Sequence, residues 1–160
     1  MEFMVHKPLT IMFMMIMLNT QSQTKLDTLV FNMVNEYRLS KNMNLLMWDV
    51  KCYEKSKTHN TSIKLENQYI RHNRNLGWGY SEIITLVSKN LKDSDTTHKE
   101  LSTLIFMSWK NSKPHNRIML KNQILSGVSC KVLVKPNGIK GWCNYVVIST
   151  MVFTKLPNKK

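Results

Sequence analysis

The sequence predicts an α+β domain in which helices are layered about a small antiparallel sheet. An amphipathic helical period opens the folded part of the chain, and two strand-like segments joined by a turn signal close it. Between them the helical stretches come in a run and do not alternate singly with strands, which argues against parallel βαβ units.

The first helix rests on Leu26, Leu29, Val30, Met33, Val34 and Tyr37, which recur at i, i+3, i+4, i+7, i+8 and i+11 with polar residues between them. Residues 45–48 form an apolar connector to Asp49, a helix-capping type. Cys52, Ser56, His59 and Ile63 then follow at spacings of four, three and four, on one face of a second helix. Residues 66–79 are polar and irregular and read as a loop. Residues 78–87 read as a strand around Glu82; Trp78 and Tyr80 flank a glycine there, as strand packing or as the mouth of a pocket. Residues 89–96 read as a second loop, in which Asp95 is placed to cap a third helix carrying Leu101, Leu104, Ile105 and Ser108 toward Trp109. Ser112 and Pro114 then give a helix-start signal that sets His115 in a first turn, with Ile118, Met119 and Leu120 behind it.

Residues 127–135 put Val128, Cys130, Val132 and Val134 on one face of a strand, and residues 142–153 are rich in Val, Ile, Tyr and Phe. Lys135-Pro136-Asn137-Gly138 is a turn signal. If Lys135 and Gly138 close that turn, residues whose numbers sum to 273 face each other. Cys130 and Cys143 then meet as a non-hydrogen-bonded pair with Cα atoms about 4.5 Å apart, within disulfide reach. The expectation is a cross-strand Cys130–Cys143 disulfide, with two free thiols or a register shifted near Gly141 as the alternatives. Cys52 reads as a small core hydrophobe, or as a thiol that pairs between chains.

Residues 9–18 are a moderately apolar run of ten in which Thr10 is the one polar residue, preceded by Lys7 and followed by polar residues. A membrane span needs about 20 apolar residues, so the run fits the core of a signal peptide over residues 1–22, with an uncleaved anchor or a buried helix as alternatives. The folded domain is then 23–154, with a basic tail at 155–160, and the protein is expected to be secreted and extracellular. Net charge is +13, an excess that favours anionic surfaces, but no nucleic-acid motif accompanies it, so nucleic acid is not expected as a partner. Asn60-Thr61-Ser62 is a glycosylation sequon, one step from the apolar helix face.

Several of these residues, in order, resemble the CAP superfamily (cysteine-rich secretory proteins, antigen 5 and pathogenesis-related 1), or SCP domain, in its short single-domain branch. They are Asn35-Glu36-Tyr37-Arg38, Leu46-Met47-Trp48-Asp49, His59, His72, Ser81-Glu82-Ile83, the Trp109-x-x-Ser112-x-Pro114-His115-x-Arg117-x-x-Leu120 segment, Gly127-Val128 and the closing strand. The resemblance implies a three-layer α-β-α sandwich and a central cleft shared by His72, Glu82 and His115. In several members such a cleft takes a divalent metal, so these residues are the candidate ligands of an ion such as zinc. The fourth, acidic position of the family cleft is Ser112 here, and Ser81 and Ile83 replace the Gly and Asn that flank the family's strand glutamate. Beside the ligand role stands a structural one, in which Glu82 accepts hydrogen bonds and locks the sheet to the helices. His59 reads as a core or near-core histidine.

No nucleophile elbow, metalloprotease helix or cysteine–histidine dyad with an oxyanion element is present, and no catalytic residue is assigned. The expected function is a non-enzymatic, monomeric binding module that uses the cleft and a basic surface. Its partners would be a lipid, a sterol, an anionic membrane surface or an extracellular protein. The alternatives are a metal-dependent hydrolase and a scaffold with a vestigial cleft.

Overall fold

The computed structural model describes residues 23–64, 69–92, 94 and 96–155. The expected signal peptide, the Asp95 cap and the basic tail after Lys155 lie outside the described residues. Eight elements follow in order: α1 (Lys25–Ser40), β1 (Met47–Trp48), α2 (Val50–Ser62), β2 (Tyr80–Lys92), α3 (Thr97–Asn111), α4 (Lys113–Met119), β3 (Leu125–Pro136) and β4 (Trp142–Thr154). The strands form one sheet in the order β1-β3-β4-β2, antiparallel except where the two residues of β1 run parallel to β3.

Alternation along β4 makes three layers. Tyr145, Val147, Met151 and Phe153 face α1 and α3 and join their core, with Ile105, Trp109, Val30 and Val34. Val146 and Ile148 face the other way with Ile84 and Ile63, while Val152 meets Cys52 of α2. The sandwich is therefore α1 and α3, then the sheet, then α2.

Local chemistry sets the helix starts. At α1, Thr24 and Asp27 form a reciprocal capping box, with Asp27 N–H on Thr24 Oγ1 at 3.1 Å and Thr24 N–H on Asp27 Oδ2 at 3.0 Å. Asp49 caps α2 by accepting from Cys52 N–H at 2.7 Å. Pro114 lies in the first turn of α4, but the Ser112 side chain makes no cap bond, so Ser112 supplies its backbone alone.

Buried polar groups then tie the layers. The Asn35 amide clamps the backbone of Leu46 on both sides, at 3.1 and 2.8 Å. Arg38, fully buried, donates to the carbonyls of Asn44, Met119, Lys121 and Gln123 and thereby joins the end of α1 to the α4–β3 connection. On the other face α2 lies so close to β3 that a Cβ on Gly127 would stand 2.3 Å from Tyr53 N.

Two strand expectations change. β2 continues through Lys92, so residues 89–92 belong to a strand paired with β4 and not to a loop. In the hairpin, Lys135 and Pro136 remain in β3, and the reversal is made by residues 137–141 with positive φ at Gly138 and Gly141. Facing residues therefore sum to 279, as Cys130 opposite Ser149 shows. Cys143 lies opposite Pro136, six residues along β4 from the partner of Cys130, which is about 20 Å at the rise of a strand. The expected Cys130–Cys143 disulfide does not form, and Cys52, Cys130 and Cys143 are all free. Cys52 is completely buried, as a core residue should be.

Candidate functional site

Glu82 sits near the start of β2 on the α2 face, its side chain 3% exposed. Oε1 is 2.7 Å from His59 Nδ1, and Oε2 is 3.0 Å from both His72 Nδ1 and the Asn73 backbone N–H. A carboxylate can only accept, so the Nδ1 of each imidazole is its protonated nitrogen. His72 is 61% exposed on its loop, and its ring lies 6.2 Å from that of His115 at 67°. Burial, and then the neighbouring His72, lower the pKa of His115 below the ordinary histidine value. His115 Nδ1 is buried without a hydrogen-bond partner.

The structure thus brings His72, Glu82 and His115 together, and it adds His59. The helical face on which His59 falls carried that signal, because Cys52, Ser56 and His59 all point at the sheet. Ser56 Oγ donates to Gly127 O at 2.8 Å from the same face.

The cluster does not have the form of a metal centre. Both oxygens of Glu82 already accept hydrogen bonds, one of them from buried His59, which leaves of the expected ligands the imidazoles of His72 and His115. Among the described residues no group of three or more His, Cys, Asp or Glu side chains is placed to hold an ion. The donor set does not fit a zinc site of three protein ligands and a water. The arrangement does orient His72, whose second nitrogen is left free of the carboxylate. No hydrogen bond from a serine, threonine or cysteine side chain reaches His72 or His115 among the described residues.

A separate concavity of about 990 Å³ lies at the end of the sheet where β2 begins and β4 stops. Trp78 and Tyr80 do line it, together with Gln123, Lys51 and Lys121, whereas His72, Glu82 and His115 do not. Gln123 Nε2 donates to Ser81 Oγ at 3.0 Å, one residue from Glu82, so cluster and concavity abut through β2.

The glycosylation expectation at Asn60 fails on burial. Asn60 is 2% exposed, its Nδ2 donates to Ser129 O at 2.6 Å, and its Oδ1 accepts from Thr150 Oγ1. A glycan on that amide has no room in this fold.

Comparison with known proteins agrees with the architecture. An outer surface protein from Borrelia burgdorferi has a similar structure at 16% identity and a TM-score of 0.52, with 84% of this chain and 96% of that one covered. MpPR-1i matches at 13% identity and a TM-score of 0.47, covering 86% of this chain and 94% of that one. A structure of NaASP2 with Zn2+ matches at 12% identity and a TM-score of 0.48, covering 82% of each chain. No curated protein sequence matches the chain. The sequence profile of the cysteine-rich secretory protein family matches residues 31–149, well over half of the chain, through the helices and strands that build this site, and the chain belongs to that family, CAP.

Proposed function

We propose that this CAP-family chain is a secreted, non-enzymatic binding domain that attaches to anionic lipid surfaces. The observation that carries the reading is the placement of charge. After Glu100 the chain has no Asp or Glu, yet residues 101–160 contain nine lysines and one arginine. This part supplies α4, β3 and β4, so most of the +13 excess falls in one continuous stretch of the chain. Each lysine near an anionic leaflet adds about 1 kcal/mol, so a few acting together suffice for reversible attachment. A sterol in the cleft or an acidic protein would be the competing ligands.

The engaged carboxylate of Glu82 supports a non-enzymatic reading, since a group accepting three hydrogen bonds is poorly placed to take a proton from substrate. Sedimentation with phosphatidylcholine vesicles containing about a quarter phosphatidylserine tests the proposal. Binding should require the anionic lipid and fall at least tenfold between about 50 and about 500 mM NaCl. Equal binding to neutral vesicles, or none to either, refutes it.

A second reading rests on the orientation of His72 by Glu82, an arrangement suited to moving a proton. It predicts slow ester hydrolysis that His72→Ala abolishes, and hydrolysis unchanged in that variant would end it.

A further inference from the structure

The far end of the β3–β4 hairpin has apolar side chains that no helix among the described residues covers. Ile139 in the reversal is 64% exposed and Trp142 at the start of β4 is 41% exposed, and Val134 on the preceding strand is 48% exposed. Val134 belongs to the strand face that packs on α1 and α3 nearer its start, where Val128 is fully buried. The alternating pattern of that face has therefore run past the helices, and among the described residues Val134 on it and Trp142 on the other face stay largely uncovered. A solvated hairpin end needs no tryptophan and isoleucine, and such residues on an edge are normally blunted by polar ones.

Lysines neighbour these side chains in sequence and in register. Lys135 and Lys140 stand on the hairpin, and the pairing of β2 with β4 sets Lys92 opposite Trp142. No carboxylate occurs on β3, on β4 or in the reversal between them. Asp93 and Asp95, which follow β2 in sequence, fall outside the described residues. Tryptophan with isoleucine at a tip, neighboured by lysines, is the composition that settles at a bilayer interface. The rings and alkyl groups enter the headgroup boundary while the ammonium groups meet lipid phosphates.

We propose that the tip formed by Ile139 and Trp142, with Lys92, Lys135 and Lys140 neighbouring it, is the element that enters the headgroup layer of an anionic bilayer. The proposal rests on the lipid-surface reading above and gives that reading a point of contact and an orientation. The sheet end carrying Trp78 and Tyr80 is at the opposite end of the strands and faces away from the membrane.

The test uses the protein in three forms: unaltered, as the I139S/W142S double variant, and as Lys121→Glu, which alters a lysine at the other end of the sheet. Trp142 is the one partly covered side chain among those altered, so W142F serves as a second, milder change. Unaltered melting temperatures establish that each variant is folded. On vesicles with about a quarter phosphatidylserine, I139S/W142S should lose affinity at least tenfold and Lys121→Glu about fivefold or less. Brominated lipid should quench the fluorescence of the unaltered protein and lose most of that quenching in W142F.

If the unaltered protein binds and I139S/W142S binds equally well, the tip is wrong and the lipid reading stands. No vesicle binding by the unaltered protein overturns both. Self-association that disappears in I139S/W142S, with vesicle binding unchanged, would assign the tip to a second copy of the chain and overturn the proposal.

Discussion

Removing the Glu82 carboxylate separates a structural role for the histidine cluster from a chemical one. The three contacts are unequal. The bond to His59 joins two groups that are 6% and 3% exposed, and a hydrogen bond to a charged group in such surroundings contributes about 1.5–3 kcal/mol. The Asn73 N–H bond adds a contribution at the lower end of that range. His72 is 61% exposed, so water screens its share to less than about 1 kcal/mol. Glu82→Ala should therefore destabilise by about 3–5 kcal/mol, which is also the usual cost of breaking a buried pair. That is a fall in Tm of roughly 10–20 °C for a domain of this size. Glu82→Gln should cost only about 1–2 kcal/mol, because its amide oxygen can serve His72 and Asn73 while His59 changes tautomer to accept from its NH2 group. Thermal melting by circular dichroism and urea unfolding at neutral pH would measure both. A Glu82→Ala protein melting within about 2 °C of the parent would refute the reasoning, since a carboxylate that holds nothing together would have to be kept for chemistry.

Gly127→Ala should be among the most damaging small changes, at about 3 kcal/mol or more in urea unfolding, because its Cβ would meet the Tyr53 backbone nitrogen at 2.3 Å. Gly138→Ala, at φ +84° with open space around it, should cost only about 1–2 kcal/mol. Since the pKa of His115 is lowered in the fold, the unfolded chain takes up its proton first as pH falls. Stability should therefore decline below about pH 6.5, and His115→Asn should melt with a shallower pH dependence than the parent. With no disulfide present, three thiols should be found in denaturant. In the native protein half-buried Cys143 should react well before Cys52 and Cys130, whose thiols burial holds in the protonated form.

What can be read from the sequence follows periodicity. The 3.6-residue recurrence from Leu26 to Tyr37 and the alternation in the closing strands locate the layers, because side-chain direction follows from those periods. The hairpin register cannot be read the same way. The shift from a sum of 273 to 279 is an even number, so every residue keeps its face and the hydrophobic pattern is indifferent to it. The observed register keeps Pro136 within β3, which is allowed because β1 pairs only with Leu125 and Ser126 and does not run beside it. In the site, His72, Glu82 and His115 are legible through the family resemblance. His59 is placed by its helical face, but its bond to Glu82 is hidden in the sequence, because an apolar face usually holds its histidine as packing. The sequon at Asn60 looks usable because a one-residue step around a helix separates buried from exposed only loosely, and α2 lies closer to the sheet than composition reveals.

Arg38 carries a consequence for how the molecule assembles. Three of its four acceptors, Met119 O, Lys121 O and Gln123 O, lie 81, 83 and 85 residues further along the chain, so early in synthesis only Asn44 O can meet the guanidinium. The helix bearing His115 is in turn anchored by a side chain that belongs to the first helix. A fragment beginning after Ser40 would retain all four residues of the histidine cluster and still lack the group that gathers the carbonyls behind α4. Its cleft should be unformed for want of a residue that never touches it.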